Sequence, residues 1–166
     1  MSESSARSPR RLGADNPAPR RLTARELIEL IADPGSYASW DASPQEPDLG
    51  EAYLAELAAA AEKSGTDESI LTGEALIDGR RVVLIACEFQ FLAGSVGLAA
   101  AERFVLAMER ATAERLPVLA STASGGTRMQ EGTLAFVAMV KISAAVAAHQ
   151  AEGLPYLTYL RHPSTG

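Results

Sequence analysis

Apolar and polar residues repeat with two different periods along this chain. Beginning at Thr23, "TARELIELIADPG" sets Leu27, Ile28 and Ile31 on one face at helical spacing. Thr23 can cap that helix, Glu26 stands at the capping-box position, and Pro34-Gly35 stops it. Residues 41–50 read as a Pro-rich loop, 51–63 as an Ala-rich helix and 65–69 as a turn. In "ILTGEALIDGRRVVLIACEF" (70–89) two β-rich runs flank Asp78-Gly79, a dipeptide that favours a tight turn because Gly tolerates positive φ, so the segment predicts a hairpin. Helical spacing returns over 94–113, with Ala101, Phe104, Val105 and Met108 on one side and Glu102, Arg103, Glu109 and Arg110 on the other. Pro117 opens a short strand to Thr122, a Ser-Gly-Gly turn follows, and a helix runs from about Met129 to Ala151. Gly153 ends that helix and 154–160 is a further β run. Strands alternating with crossover helices predict an α/β layer structure.

The chain has 166 residues, 47% of them hydrophobic, which suits one domain with a real core. Net charge is −6, which argues against general nucleic-acid binding. Residues 1–25 hold six Arg against Glu3 and Asp15, or +4, which leaves −10 on the remainder. Residues 1–22, Arg-rich and interrupted by Pro9, Pro17 and Pro19, are expected to form a disordered tail ahead of a folded region at 23–166. Cys87 is the only cysteine, so one chain can build neither a disulfide framework nor a Cys-based zinc site. This usage suits a reducing cytosol, and the N-terminus shows no apolar signal-peptide segment, so a cytoplasmic location is expected. The run Gly132–Ala148 carries Lys141 and falls short of the roughly 20 apolar residues of a membrane span, which predicts a buried helix and no membrane partner.

Candidate chemistry centres on glycines. Gly125-Gly126 stands where a strand turns into a helix. It is either a tight connection or a backbone anion site, since Gly lets the main chain approach a ligand and helix N-terminal N–H groups face negative charge. Gly94-Ser95-Val96-Gly97 is a second such turn, without the spacing of a dinucleotide fingerprint or a P-loop. Two of them make a ligand cleft at the strand ends more plausible. Ser124 lacks a nucleophile-elbow context. His149 reads as a surface or cap residue, and His162 precedes Pro163 in a loop. Arg128 either holds a phosphate or carboxylate or pairs with Glu131. Lys141 needs a partner or a route to water, Cys87 reads as a buried apolar residue, and Glu88 as solvated. No acid–base cluster emerges.

Several motifs agree in order and spacing with one family. "LTARELIELIADPGSY" (22–37), "LTGEALIDGRRVVLIACEFQFLAGSVG" (71–97), "TASGGTRMQEG" (122–132) and "AEGLPYLTYLRHPSTG" (151–166) together resemble the carboxyltransferase component of biotin-dependent acyl-CoA carboxylases. The nearest match is the bacterial acetyl-CoA carboxylase β subunit. The resemblance implies a crotonase-like (ClpP/crotonase) fold of ββα units wound into a superhelix. It implies an acyl-CoA along Gly94, Ser95, Ser124, Gly125, Gly126 and Arg128, with backbone oxyanion donors at Thr165 and Gly166. It also implies transfer of a carboxyl group from carboxybiotin to an acyl-CoA, acetyl-CoA giving malonyl-CoA for fatty acid biosynthesis. Biotin would arrive on a biotin carboxyl carrier protein, with a biotin carboxylase and a second carboxyltransferase half as further partners in an oligomer. In such a reaction the biotin anion is thought to take the α-proton, so an absent side-chain base is expected.

The sequence departs from the family pattern in three places. The β subunit commonly opens on a four-cysteine zinc ribbon. Here an Arg-rich tail stands instead, so no zinc or other metal is expected, and both halves in one chain become conceivable. The family turn Thr-Gly-Gly-Val breaks off at Thr165-Gly166, so the chain reads as the first part of an acyl-CoA-binding domain, expected to be inactive alone. "LAGSVG" replaces the usual "MGGSMG", putting Ala93 where the family has Gly. The alternatives are a crotonase-fold hydratase or malonyl-thioester decarboxylase subunit, marked by a carboxylate aimed at the α-carbon, and a non-catalytic scaffold subunit.

Overall fold

A computed structural model describes residues 21–44 and 49–165. The predicted tail therefore lies almost wholly outside the described residues, and so does Gly166.

Helix α1 (Ala24–Ile31) begins with the predicted capping box: Thr23 Oγ1 accepts from Glu26 N at 3.1 Å, and Glu26 Oε2 accepts from Thr23 N at 2.9 Å. This satisfies two of the orphan donors at the helix start. Strand β1 (Ala38–Ser39) and helix α2 (Glu51–Ser64) follow; β1, too short for a visible period, was not apparent in the sequence. The hairpin forms as predicted, from β2 (Ile70–Ile77) and β3 (Arg80–Cys87), in unbroken register from Ile70↔Cys87 to Ile77↔Arg80. Asp78 and Gly79 both take positive φ, 49° and 72°, as a primed two-residue turn requires. Asp33 accepts from the N–H of both turn residues, tying the end of α1 to the hairpin.

Next come α3 (Leu98–Ala113), β4 (Val118–Ser124), α4 (Gly132–Ala151) and β5 (Tyr156–Ser164). α3 and α4 begin three or four residues after their predicted starts, because short 3₁₀ turns at Leu92–Gly94 and Met129–Glu131 precede them, and β4 and β5 run on past their predicted ends at 122 and 160. The strands form one sheet in the order β1-β2-β3-β4-β5. β1, β2 and β3 pair antiparallel, while β3, β4 and β5 pair parallel across the helical crossovers. Strand alternation divides the core. Val83 and Ile85 face α3, where they meet Phe104, Ala107 and Met108, whereas Leu84 and Ala86 face α1 at Ala24 and Ile28. Full burial of each large apolar side chain is worth about 1.5–3 kcal/mol.

Four sequence expectations about burial fail here. Arg103 sits on the inner side of α3, 6% exposed, because Asp67 receives it bidentately at 2.9 and 2.7 Å and the Ala42 and Ile70 carbonyls take further bonds. Glu88 is 1% exposed rather than solvated; it accepts from Ala24 N at 2.7 Å and Gln90 N at 2.9 Å, joining the start of α1 to the end of β3. His149 is fully buried rather than at the surface. Its Nδ1 pairs with Thr112 Oγ1 at 2.9 Å and its Nε2 with the Pro155 carbonyl at 3.3 Å, linking α4, α3 and the approach to β5. Helix α4 is not the buried helix predicted. Ala135, Ala138 and His149 are its buried residues, while Leu134, Phe136, Val137 and Val140 are more than half exposed. By length and composition alone the stretch Met129–Ala151 is apolar enough to cross a membrane. Lys141 stands exposed near its middle and lines, with Glu102 and Glu109 among others, the groove between α3 and α4.

Candidate functional site: two interlocked glycine turns

Parallel strands β3 and β4 both end on the same side of the sheet, and each releases the chain into a glycine-bearing turn before a helix. This is where open parallel sheets place their ligand crevices. The turns at 92–97 and 124–128 lie directly against each other. Gly125 N donates to the Ala93 carbonyl at 2.9 Å, Val96 N to the Gly126 carbonyl at 2.9 Å, and Arg128 N to the Val96 carbonyl at 2.9 Å. Val96 and Thr127 form an isolated parallel bridge. The structure thus brings together Gly94, Ser95, Ser124, Gly125, Gly126 and Arg128, the residues singled out in the sequence.

The glycines are needed for this contact. Gly94 has φ +65°, and a Cβ there would lie 2.1 Å from the Ala123 carbonyl oxygen. A Cβ at Gly97 would lie 2.4 Å from Glu131 Oε1 and 2.7 Å from Arg128 Nη1. Ala93, where the family pattern has Gly, adopts the left-handed conformation (φ 56°, ψ 29°), which costs an L-residue about 1–2 kcal/mol.

The N–H groups differ in availability. Gly94 N donates to Phe91 O at 2.7 Å, Ser95 N to Leu92 O at 3.1 Å, and Gly125 N to Ala93 O, so all three are held by backbone. Gly126 N donates to the Ser124 hydroxyl at 3.0 Å. A hydroxyl rotates, so this is the donor of the four that a ligand oxygen can take over most easily. Gly125 is exposed and Gly126 half-buried. The end of β5 arrives at the same place: exposed Thr165 donates its N–H to the Ser124 carbonyl at 2.8 Å, and Thr122 Oγ1 meets Ser164 Oγ at 2.8 Å. Gly166 falls outside the described residues.

Arg128 does not face the turn surface. It is 1% exposed, and of its two sequence readings the structure realises the ion pair. Nη1 lies 3.3 Å from Glu131 Oε1 and 2.9 Å from Glu68 Oε2, and Nη2 also contacts Glu68 Oε1. Burial works against its charge, but the hydrogen bonds and charge of Glu68 outweigh it and hold the guanidinium above its ordinary pKa. Tyr53 donates to Glu131 Oε1 at 2.6 Å; burial first, and then this bond, push the phenol up to about 12. Sequence reasoning missed Tyr53 and Glu68, and saw Gly97 only as part of its turn. Glu131 was visible at i+3 from Arg128, but the other two acquire their roles only by meeting Arg128 from 60 and 75 residues away. His162 is exposed on β5 and takes no part in the turns.

Comparison with known proteins places the chain in a family. The profile of the family described as "Carboxyl transferase domain" matches residues 17–166. A Mycobacterium tuberculosis protein described as a probable biotin-dependent acyl-coenzyme A carboxylase beta3 subunit is 58% identical over 146 residues, which is 88% of this chain and 30% of that protein. The acetyl-coenzyme A carboxylase carboxyl transferase subunit beta of Desulfitobacterium hafniense is 44% identical over 148 residues, 88% of this chain and 49% of that protein. Among solved structures, transcarboxylase 12S with hydrolysed methylmalonyl-coenzyme A bound matches with a TM-score of 0.73 at 26% identity, over 84% of this chain and 26% of that one. The chain thus spans a third to a half of the length of these curated relatives.

Proposed function

Because this chain belongs to the carboxyl transferase domain family and has its crotonase-like α/β fold, we propose that it forms the acyl-CoA-binding wall of a biotin-dependent carboxyltransferase. The reaction moves a carboxyl group from carboxybiotin to the α-carbon of an acyl-CoA, and acetyl-CoA, giving malonyl-CoA, is the substrate we favour. The observation that carries this reading is the Gly126 N–H, held only by a rotatable hydroxyl on a bare Gly-Gly surface at the strand ends. A thioester carbonyl oxygen laid there takes the place of Ser124 Oγ. Negative charge developing on that oxygen as the α-proton leaves then meets a fixed backbone dipole, which needs no reorganisation. Exposed Gly125 keeps a side chain out of the approach, while buried Gly94 lets the two turns close against each other.

The acid–base inventory supports the same reading. Glu68 and Glu131 are turned into the Arg128 cluster, and His149 is buried between α3 and α4. Among the described residues the turns therefore present hydroxyls and backbone but no imidazole or carboxylate, as suits a reaction whose proton acceptor is not a side chain of this region. This weighs against the hydratase and decarboxylase alternative, which uses a carboxylate aimed at the α-carbon. Carboxybiotin, brought on a separate carrier protein, supplies the carboxyl group when bound. A biotin carboxylase, a second carboxyltransferase half, an oligomeric assembly and a cytoplasmic setting complete the proposal.

The test is transfer of labelled carboxyl from a carboxylated carrier protein to acetyl-CoA and longer acyl-CoAs by the full-length protein. Absence of transfer to every acyl-CoA would end the reading. Gly126 has φ +98°, so Gly126→Val both strains the turn and crowds its surface. Valine keeps the backbone N–H, so the loss comes from turning or screening it away from the carbonyl; a fall in kcat/KM of about 10²–10³-fold is expected, as for one oxyanion donor put out of reach, and an unchanged value removes this glycine from the site.

A further inference from the structure

A fully buried guanidinium beneath two ligand-facing turns calls for an explanation, because burying an ion pair adds little net stability over a well-packed apolar group. What it does supply is direction. Five N–H donors in a rigid fork fix whatever they touch. Arg128 Nη2 donates to the Ser95 carbonyl at 2.8 Å and contacts Ser69 Oγ at 3.3 Å, while Nε contacts Ser95 Oγ at 3.3 Å. Ser69 Oγ in turn donates to the Ser95 carbonyl at 2.7 Å. Glu131 binds on three sides: to Arg128, to the Tyr53 hydroxyl, and through Oε2 to the N–H of Leu98, the first residue of α3. Glu68 is itself held by Ser69 N at 2.6 Å.

Four separate segments therefore meet at one cation: α2, the 68–69 stretch before β2, the 95–98 turn into α3, and the 128–131 turn into α4. The two turns it joins are those that contain Gly94, Ser95, Gly125 and Gly126. The missing Cβ of Gly97 has the same cause, since the cluster fills the space where that carbon would stand.

We infer that Arg128, with Glu68 and Glu131, is a positioning group. It holds the 92–97 and 124–128 turns at the separation and orientation in which the Gly126 N–H faces an acyl-CoA carbonyl. Its own side chain never touches the substrate. The catalytic part of this inference rests on the carboxyltransferase reading; the mechanical part does not.

Glu131→Ala removes the carboxylate that binds Arg128, Tyr53 and Leu98 together. Glu131→Gln keeps an acceptor of the same shape, and Tyr53→Phe deletes a single hydroxyl from the rim of the cluster. In the full-length protein, amide hydrogen exchange of Glu131→Ala is expected to rise about tenfold or more over residues 93–98 and 125–128, with the β2–β3 hairpin unchanged, since local opening reports local support. Carboxyl transfer by the same variant is expected to lose about 10- to 100-fold in kcat, the range for loss of an outer supporting partner, with the acyl-CoA KM within about threefold. Glu131→Gln should restore most of the loss. Unchanged exchange in the two turns overturns the inference. So does exchange raised equally throughout, or a loss confined to KM. Where Glu131→Ala fails to fold, Tyr53→Phe decides by the same readouts. If the wild-type protein transfers no carboxyl group, the carboxyltransferase reading falls, and the exchange pattern still decides whether the cluster sets the turns.

Discussion

Gly94→Ala is the sharpest single test of how the two turns fit together. An alanine there keeps φ near +65°, at a cost of about 1–2 kcal/mol for an L-residue in the left-handed region. Its Cβ would lie 2.1 Å from the Ala123 carbonyl oxygen and 3.2 Å from both Ala123 C and Ser124 Cα. These are backbone atoms of β4 and cannot swing aside as a side chain does. Normal contact is restored only if the turns part by roughly 1 Å, and overpacking of this kind costs about 1–3 kcal/mol. Such a shift also stretches the 2.9 Å bonds from Gly125 N to Ala93 O and from Val96 N to Gly126 O, each worth about 1 kcal/mol net. Together these amount to about 4–7 kcal/mol, against a total stability of about 5–15 kcal/mol for a typical domain. In a domain of this size that lowers Tm by roughly 8–28 °C. Gly125→Ala is the control. Its Cβ would stand 3.3 Å from the Ala93 oxygen at a backbone conformation open to any residue, so about 1 kcal/mol or less is expected. Urea unfolding of both variants beside wild type, compared at a common slope, measures the difference. A Gly94→Ala midpoint indistinguishable from that of Gly125→Ala would refute the turn-against-turn geometry.

Three further outcomes follow from individual residues. Ala93→Gly should stabilise the protein by about 0.5–1 kcal/mol, because relief of left-handed strain (φ 56°) exceeds the extra freedom glycine gains when unfolded; a loss of stability in calorimetry would contradict that conformation. The Cys87 thiol, 8% exposed and pushed above its ordinary pKa chiefly by burial, should resist alkylation at pH 8 in the native protein and react promptly in denaturant; equal rates in both states would show that Cys87 is accessible. Burial alone would raise the Asp67 carboxyl, but the bidentate bonds and charge of Arg103 outweigh it and hold the folded value below the ordinary 3.8. The stability from this pair is therefore present above pH 4 and lost as pH falls through the lower folded value. Asp67→Asn should flatten that acid limb, and an unchanged acid unfolding profile would remove the pair from the balance.

Local chemistry fixed more of this molecule than its overall architecture suggests. The Thr23–Glu26 capping box, the Asp78-Gly79 hairpin and the glycine turns before α3 and α4 each depend on residues a few positions apart, so their physics is written within a short window of sequence. The family resemblance rested on the same short motifs. Other features required the tertiary structure. Arg103, Glu88 and His149 read as surface residues because a charged or polar side chain is buried only when partners reach it, and theirs come from Asp67, Ala24 and Thr112, 36, 64 and 37 residues away. Helix α4 is apolar on every side, so its pattern could not say which face meets α3 and which stays exposed. Nor could sequence show that Arg128 turns inward: only the fold brings Glu68 and Tyr53 within reach of it, and so converts a candidate ligand contact into the support beneath the site.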